Sequence, residues 1–277
     1  MTGLRPLTTA EFRFVRDFMH REAGISLSEQ KRSLVMGRLA PRLRALSLSS
    51  FTEYLDHAAR DREEAVRLID AICTNETHFF REPKQFEFLQ QRVLPQWLAE
   101  AAEGRRKKQV RVWSAACSSG EEPFSIAMVL HSALPDWHIE ILASDLSTKV
   151  LDRASEALWP IERAAEIPEH YRKAYMLRGV RSQEGKMTAK PELRERIHFQ
   201  RINLNGERWP VGGRFDLIFC RNVLIYFDAA GKQRVVQRLL DVLDPAGYFF
   251  LGHSETLNTL ERVRSVGPTV YQFRTAK

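Results

Sequence analysis

The chain has 277 residues, 44% of them hydrophobic and 28% charged, with a net charge of +7 and a pI near 9.5. That balance describes a soluble globular protein long enough for one large or two modest domains. MTGLRPLTTAEFRFVRD has no apolar core of the kind a signal peptide needs, and no stretch approaches the roughly 20 apolar residues of a membrane span, so no stable membrane insertion is expected.

Cys73, Cys117 and Cys220 are widely separated and form no C-x-x-C pair, which fits reduced thiols in the cytoplasm and gives no zinc spacing. The basic charge calls for an acidic partner: nucleic acid, anionic lipid or an acidic protein surface.

Residues 1–73 read as a small all-α domain. Residues 4–24 carry Phe12, Val15, Phe18 and Met19 at helical spacing, and a second pattern starts near Ser28, a suitable N-cap. Pro41 is expected to kink or end that second helix. A third begins at Ser49 or Ser50, and a fourth covers 63–73 with Val66, Ile69 and Ala71 inward. Residues 74–90, around CTNETHFFREPKQFEFL, break the helical pattern and read as an interdomain linker.

From residue 91 to 277 the texture is that of a second domain. The apolar runs VRVWS, IEILAS, RIHFQRI, FDLIFC and YFFLG alternate with the helical EEPFSIAMVLHSAL, TKVLDRASEAL and GKQRVVQRLLDVL, and VYQFR closes the chain as one more strand. This alternation predicts an α/β fold with a parallel sheet. Residues 159–195 interrupt it with a polar, hairpin-like run, YMLRGVRSQEGKMT, and read as an inserted subdomain.

The stretch VRVWSAACSSGEEPFSI is laid out as the first strand, turn and helix of a nucleotide-binding unit. It lacks G-x-G-x-x-G, and Glu121 and Glu122 stand where a pyrophosphate needs amides and positive charge. Asp145 ends the next strand, where an acid accepts ribose hydroxyls; the alternative is that it merely caps the following helix. A cofactor with a ribose, no phosphate and a cationic group fits the pattern, and S-adenosylmethionine has all three. Arg221 and Asn222 follow the strand FDLIFC, where ligands of open α/β sheets bind, although they can equally just terminate it. Asn203 and Leu204 follow another strand and are candidates to frame an adenine. His78 and His253 have no metal-ligand spacing, and Trp113 and Trp209 read as core or interface aromatics.

Together, TNETHFFRE, SAACSSGEEPFSIA, ASDLSTKVL, FDLIFCRNVLIYF and GYFFLGHSETL resemble the chemotaxis receptor glutamate methyltransferases, the CheR-type family, over nearly the whole chain. The resemblance implies a Rossmann-like class I methyltransferase domain with a small antiparallel β-subdomain insert, preceded by a small all-α domain. It implies methyl transfer from S-adenosylmethionine to glutamates of chemoreceptor cytoplasmic helices, leaving S-adenosylhomocysteine and using no metal. By matching motif, Asn75, Thr77, Arg81, Glu122, Asp145, Asn203, Leu204, Arg221 and Asn222 would contact the cofactor, with Arg81 and Tyr226 nearest the transfer. The basic run KRSLVMGRLAPRLR, with Lys31, Arg32, Arg38, Arg42 and Arg44, would dock the acidic receptor helices. In some members the insert also binds a receptor C-terminal peptide by strand addition.

Two rival readings differ in class. A nucleic-acid methyltransferase would suit the pI, but CRNVLIY has none of the prolines of the N-P-P-Y turn, and no aromatic-basic platform is evident, so no nucleic-acid partner is expected. A non-catalytic S-adenosylmethionine sensor would carry the same binding residues.

Overall fold

The computed structural model describes residues 5–257 and 261–274; Leu4, in the first expected helical pattern, lies outside them. Helix α1 (Thr9–Ala23) starts at a capping box, in which the Thr8 hydroxyl accepts from the Glu11 amide while the Glu11 carboxylate accepts from that of Thr8. It ends at Gly24, whose φ of 71° and close approach to Phe227 leave no room for a side chain.

After a 3-10 turn (Glu29–Lys31) comes α2 (Arg32–Ala45). Pro41 does not end it: the carbonyl that proline leaves without a partner belongs to Gly37, and both residues face solvent. Helix α3 (Phe51–Arg60) is capped by Ser50 and α4 (Arg62–Ile72) by Asp61. Phe12, Leu39, Phe51, Tyr54 and Leu68 are fully buried in the core these helices share.

Residues 73–82 form neither helix nor strand. Helix α5 (Pro83–Phe88) then begins inside the expected linker and continues through a π-turn (Leu89–Val93) into α6 (Leu94–Ala102). Pro95 supplies a cause for the π-turn, since it can neither donate to nor pack against the preceding turn in α geometry.

The second half alternates β1 (Gln109–Ala115), α7 (Glu121–Ala133), β2 (His138–Asp145) and α8 (Thr148–Glu156). An insert follows: β3 (Leu158–Pro160), α9 (Glu169–Tyr175), β4 (Met176–Arg178), β5 (Lys186–Ala189) and α10 (Pro191–Arg194). The alternation resumes with β6 (Ile197–Arg201), β7 (Phe215–Cys220), α11 (Ala229–Asp241), β8 (Leu243–Leu251), β9 (Val263–Gly267) and β10 (Val270–Phe273).

Among the described residues the main sheet has seven strands in the order β6-β2-β1-β7-β8-β10-β9, with β6 to β8 parallel and β10 antiparallel to both neighbours. The insert forms its own antiparallel sheet, β3-β5-β4. This is the expected fold class: a largely parallel α/β sheet, a small antiparallel insert and an all-α beginning. Strand β9 escaped the sequence reading because VRSVG shows no apolar alternation and buries only Val263. The chain reverses its direction of winding between β1 and β7, which opens a crevice at the carboxyl ends of those strands.

One ion pair anchors the helical domain. Arg42 donates to both oxygens of Glu64 at 2.6 and 2.5 Å, and Glu64 is buried. The hydrogen bond from Arg42 above all holds the Glu64 carboxyl below its ordinary value. Its contribution is therefore complete above the unfolded carboxylate pKa and is lost as pH falls through the folded one. Arg42→Ala should lower unfolding free energy by about 3 kcal/mol at neutral pH. The deficit should shrink in acid, which denaturant titrations at neutral and acid pH will measure.

Candidate active site

The crevice is a cleft of about 420 Å³ formed by five stretches: the linker, the loop after β1, the ends of β2 and β6, and the loop after β7. Residues 23–34 of the helical domain cover it.

The loop after β1 is held from β2. The amides of Ala116 and Cys117 both donate to the Ser144 carbonyl at 2.8 Å, and that of Ser118 donates to Asp145 Oδ2 at 2.9 Å. Ala116 and Ser118 sit at φ of 72° and 49°, left-handed positions that other nucleotide loops give to glycine. Gly120 is needed for a different reason. Besides its φ of 96°, a Cβ there would come within 3.1 Å of Ala154 on α8.

The two acids that open α7 then diverge. Glu121 turns away and accepts from the Ser119 hydroxyl, and burial raises its carboxyl pKa. Glu122 lines the cleft, with the Ser114 hydroxyl on one oxygen at 2.6 Å and Arg221 on the other at 2.7 Å.

Asp145 is buried and also accepts from the Ser147 amide at 3.0 Å. Burial pushes its carboxyl pKa up, while the Ser147 and Ser118 amides pull the other way. The helix-cap alternative is excluded as its sole role, since Ser147 caps α8 and Asp145 lines the cleft.

Arg221 is the hub. Its side chain is 2% exposed, Nε bonds Glu122, and Nη1 donates to the Arg81 carbonyl at 2.7 Å and to Gln85 Oε1 at 2.9 Å. Glu82 lies 3.7 Å away. The guanidinium thus ties the linker to the strand ends at the wall of the cleft. Arg81 sits between Phe80 and Glu82, both left-handed at φ of 51° and 62°, a strain of about 1–3 kcal/mol each that outside contacts must offset.

The turn after β7 is built around a carboxylate the sequence reading missed. Glu255, fully buried, accepts from the amides of Asn222, Leu224 and Gly252 at 2.8 to 2.9 Å. This shapes the approach to Tyr226, and its only sequence signal is an acid in GHSETL just past β8. Asn222 adopts a φ of 56° and donates to Glu82.

Residues 10–73 match the family model described as "CheR methyltransferase, all-alpha domain", and residues 75–271 match "CheR methyltransferase, SAM binding domain". The chain belongs to the CheR methyltransferase family. It is 42% identical to chemotaxis protein methyltransferase 2 of Pseudomonas aeruginosa, across 95% of this chain and 93% of that one. It is 38% identical to the chemotaxis protein methyltransferase of Escherichia coli, across 98% and 93%. The chain is accordingly an S-adenosylmethionine-dependent methyltransferase.

The cleft suits that cofactor on chemical grounds. The α7 N-terminus, which would attract a phosphate, is occupied by two acids. Glu82 and Glu122 stand against the single guanidinium of Arg221, so this buried cluster carries an excess negative charge beside the cleft.

The cleft of this CheR-family chain gathers Asn75, Thr77, Arg81, Glu122, Asp145, Asn203, Leu204, Arg221, Asn222 and Tyr226. Asn203 is not a free amide: Nδ2 donates to the Glu22 carbonyl at 2.6 Å and Oδ1 accepts from the Asn205 amide. It closes α1 onto the cleft, helped by the Ser26 amide on the Tyr226 carbonyl at 2.8 Å and by His20 on Asp228 at 2.8 Å. Trp113 and Trp209 meet edge to face beneath the loop after β6, as core aromatics.

Of the basic residues on and just before α2, Lys31 and Arg44 are exposed and make no ion pair among the described residues, and Lys31 lines the cleft. Arg32 bonds the Leu7 carbonyl, Arg38 bonds the Ile72 carbonyl and Thr74, and Arg42 holds Glu64. Among the described residues, no group of three or more His, Cys, Asp or Glu is placed to hold a metal.

Arg221→Met should leave two buried carboxylates uncompensated and cost about 3–5 kcal/mol of stability. It should also weaken binding of S-adenosylhomocysteine. Calorimetric unfolding and titration of the same preparation measure both, and an unchanged unfolding temperature would contradict the role given to this residue.

Proposed function

We propose that this chain transfers the methyl group of S-adenosylmethionine to glutamate side chains on the cytoplasmic helices of chemoreceptors, in the cytoplasm, forming glutamyl methyl esters. The observation that carries the reading is an acid-rich, phosphate-averse cleft in a chain whose relatives are named chemotaxis protein methyltransferases. In this reading Asp145 receives the ribose hydroxyls, Leu204 and Asn203 border the adenine, and Glu122 faces the cationic amino acid end. Asn75 and Thr77 close the linker side, and Arg221 and Asn222 support the cofactor from beneath.

The cofactor supplies an electrophilic methyl on a sulfonium. The acceptor glutamate, with an ordinary pKa of about 4.3, is ionised at neutral pH and needs no base. In keeping with this, no histidine is found among the described residues that line the cleft. Carboxylate and sulfonium lose their charges together, so water around them would stabilise the reactants more than the dispersed transition state. The task of the protein is to align the groups and exclude water. Arg81 orients a carboxylate, that of the cofactor or the acceptor, and Tyr226 offers a hydroxyl beside the transfer.

Docking follows from charge and shape at the cleft mouth. Exposed Leu34 and Ile225 both line the cleft, next to Lys31. An amphipathic acidic helix would set apolar residues on the first two and acids on Lys31 and Arg44. The edge of the insert sheet offers a place for a receptor C-terminal peptide by strand addition.

Radiolabelled methyl transfer to a receptor cytoplasmic fragment should give a base-labile label, as a glutamyl ester requires. A base-stable label on nucleic acid, or cofactor binding with no transfer, would favour the rival readings. Arg81→Ala should lower kcat at least 100-fold with an unfolding temperature near wild type. Unimpaired transfer with wild-type cofactor affinity would remove Arg81 from the mechanism.

A further inference from the structure

The insert makes a connection that strand addition at its edge does not explain. Arg163 and Glu166 lie on the 3-10 segment (Ile161–Glu166) that follows β3. Arg163 Nη1 donates to the Thr77 carbonyl at 3.0 Å and to Glu166 Oε1 at 2.8 Å. The other Glu166 oxygen accepts from the Phe79 amide at 3.0 Å. The pair therefore grips a carbonyl and an amide two residues apart in the linker.

Aromatic contacts repeat the connection. Phe79 packs edge-on against Trp159 at 5.0 Å between ring centres, and Phe80 stacks on Tyr171 at 5.4 Å. Immediately after these residues the backbone carries Arg81 between two left-handed neighbours. A segment in that conformation relaxes unless it is held from outside. Arg221 holds it from the strand side, and the insert holds it from the other.

We propose that Arg163 and Glu166 are positioning residues for methyl transfer: their ion pair staples the linker into the shape that presents Thr77 and Arg81 to the cleft. The proposal rests on the reading of the cleft as the S-adenosylmethionine site. The staple is partly exposed, with side-chain accessibilities of 37% for Arg163 and 27% for Glu166, so as an ion pair it adds little to global stability. What it fixes is the path of the backbone, and small displacements there carry large kinetic consequences.

The full-length protein gives the test, using S-adenosylhomocysteine as the binding probe. Arg163→Ala and Glu166→Ala should each raise its Kd about tenfold and speed hydrogen exchange of the Phe79 amide at least tenfold, with little change in unfolding temperature. Glu166→Gln, which keeps one acceptor for that amide but gives up the charge and the second oxygen toward Arg163, should recover only part of the loss. In transfer assays kcat should fall while the KM for the receptor fragment holds. The effect of Glu166→Ala should shrink in an Arg81→Ala background, since both act through the same side chain.

Wild-type exchange and affinity in both alanine variants would overturn the proposal alone. Additive losses with Arg81→Ala would do the same. If the wild-type protein binds no S-adenosylhomocysteine, the reading of the cleft falls first and the proposal falls with it.

Discussion

A guanidinium taken out of water must be matched by carboxylates and hydrogen bonds, or the fold that buries it loses several kcal/mol. Arg221 meets that requirement with groups drawn from separate parts of the chain: Glu122 at the start of α7, and Arg81, Glu82 and Gln85 from the linker and α5. Gln85 passes the connection on, donating to the Leu251 carbonyl and the Thr269 hydroxyl. Because Glu122, Gln85 and the Arg81 carbonyl all accept from Arg221, the linker cannot leave the strand ends without leaving that buried guanidinium unpaired. This network makes the cleft a defined site rather than a gap between two domains.

The same network explains why the loop after β1 departs from a dinucleotide turn. A phosphate would need the amides at the α7 N-terminus, yet that turn carries Glu121 and Glu122, and Glu122 is committed to Arg221. Three of the loop's amides are committed too, to Ser144 and Asp145, so they are not directed at a ligand. The loop can then place Ala116 and Ser118 in left-handed conformations, because β2 offsets the strain with hydrogen bonds. Its single glycine answers to helix packing at Ala154 as well as to backbone freedom.

Much of this was legible in residue patterns. Strands ending in Asp145 and Cys220 announce themselves as apolar runs that stop at polar residues, and sheet topology brings such ends together. The partners of Arg221 were harder to see. Glu82 and Gln85 sit in a polar stretch with no periodicity, and only the tertiary fold shows them buried. Glu255 carries no mark in GHSETL that it organises three amides. That the Asn203 amide also binds the Glu22 carbonyl of α1 is not legible either, because nothing local to RINLNG reveals that Glu22 lies beside it. Likewise, the basic run on α2 shows its charges but not that Arg42 is bound to Glu64 from another helix.

The contacts of α1 complete the physical picture. Its end meets the cleft through backbone groups: Glu22 and Arg21 carbonyls on Asn203 and Asn205, and the Ser26 amide on Tyr226. Gly24 lies so close to Phe227 that a methyl group would collide with the ring. Such contacts cap the cleft tightly while leaving its side-chain chemistry to the strand ends. For methyl transfer from a sulfonium, whose charge disperses as the methyl leaves, a close-fitting cover limits the water left around the reactants. The helical domain thus contributes in two ways: the end of α1 covers the cleft through backbone contacts, and exposed Lys31 and Arg44 place positive charge at and beyond the start of α2.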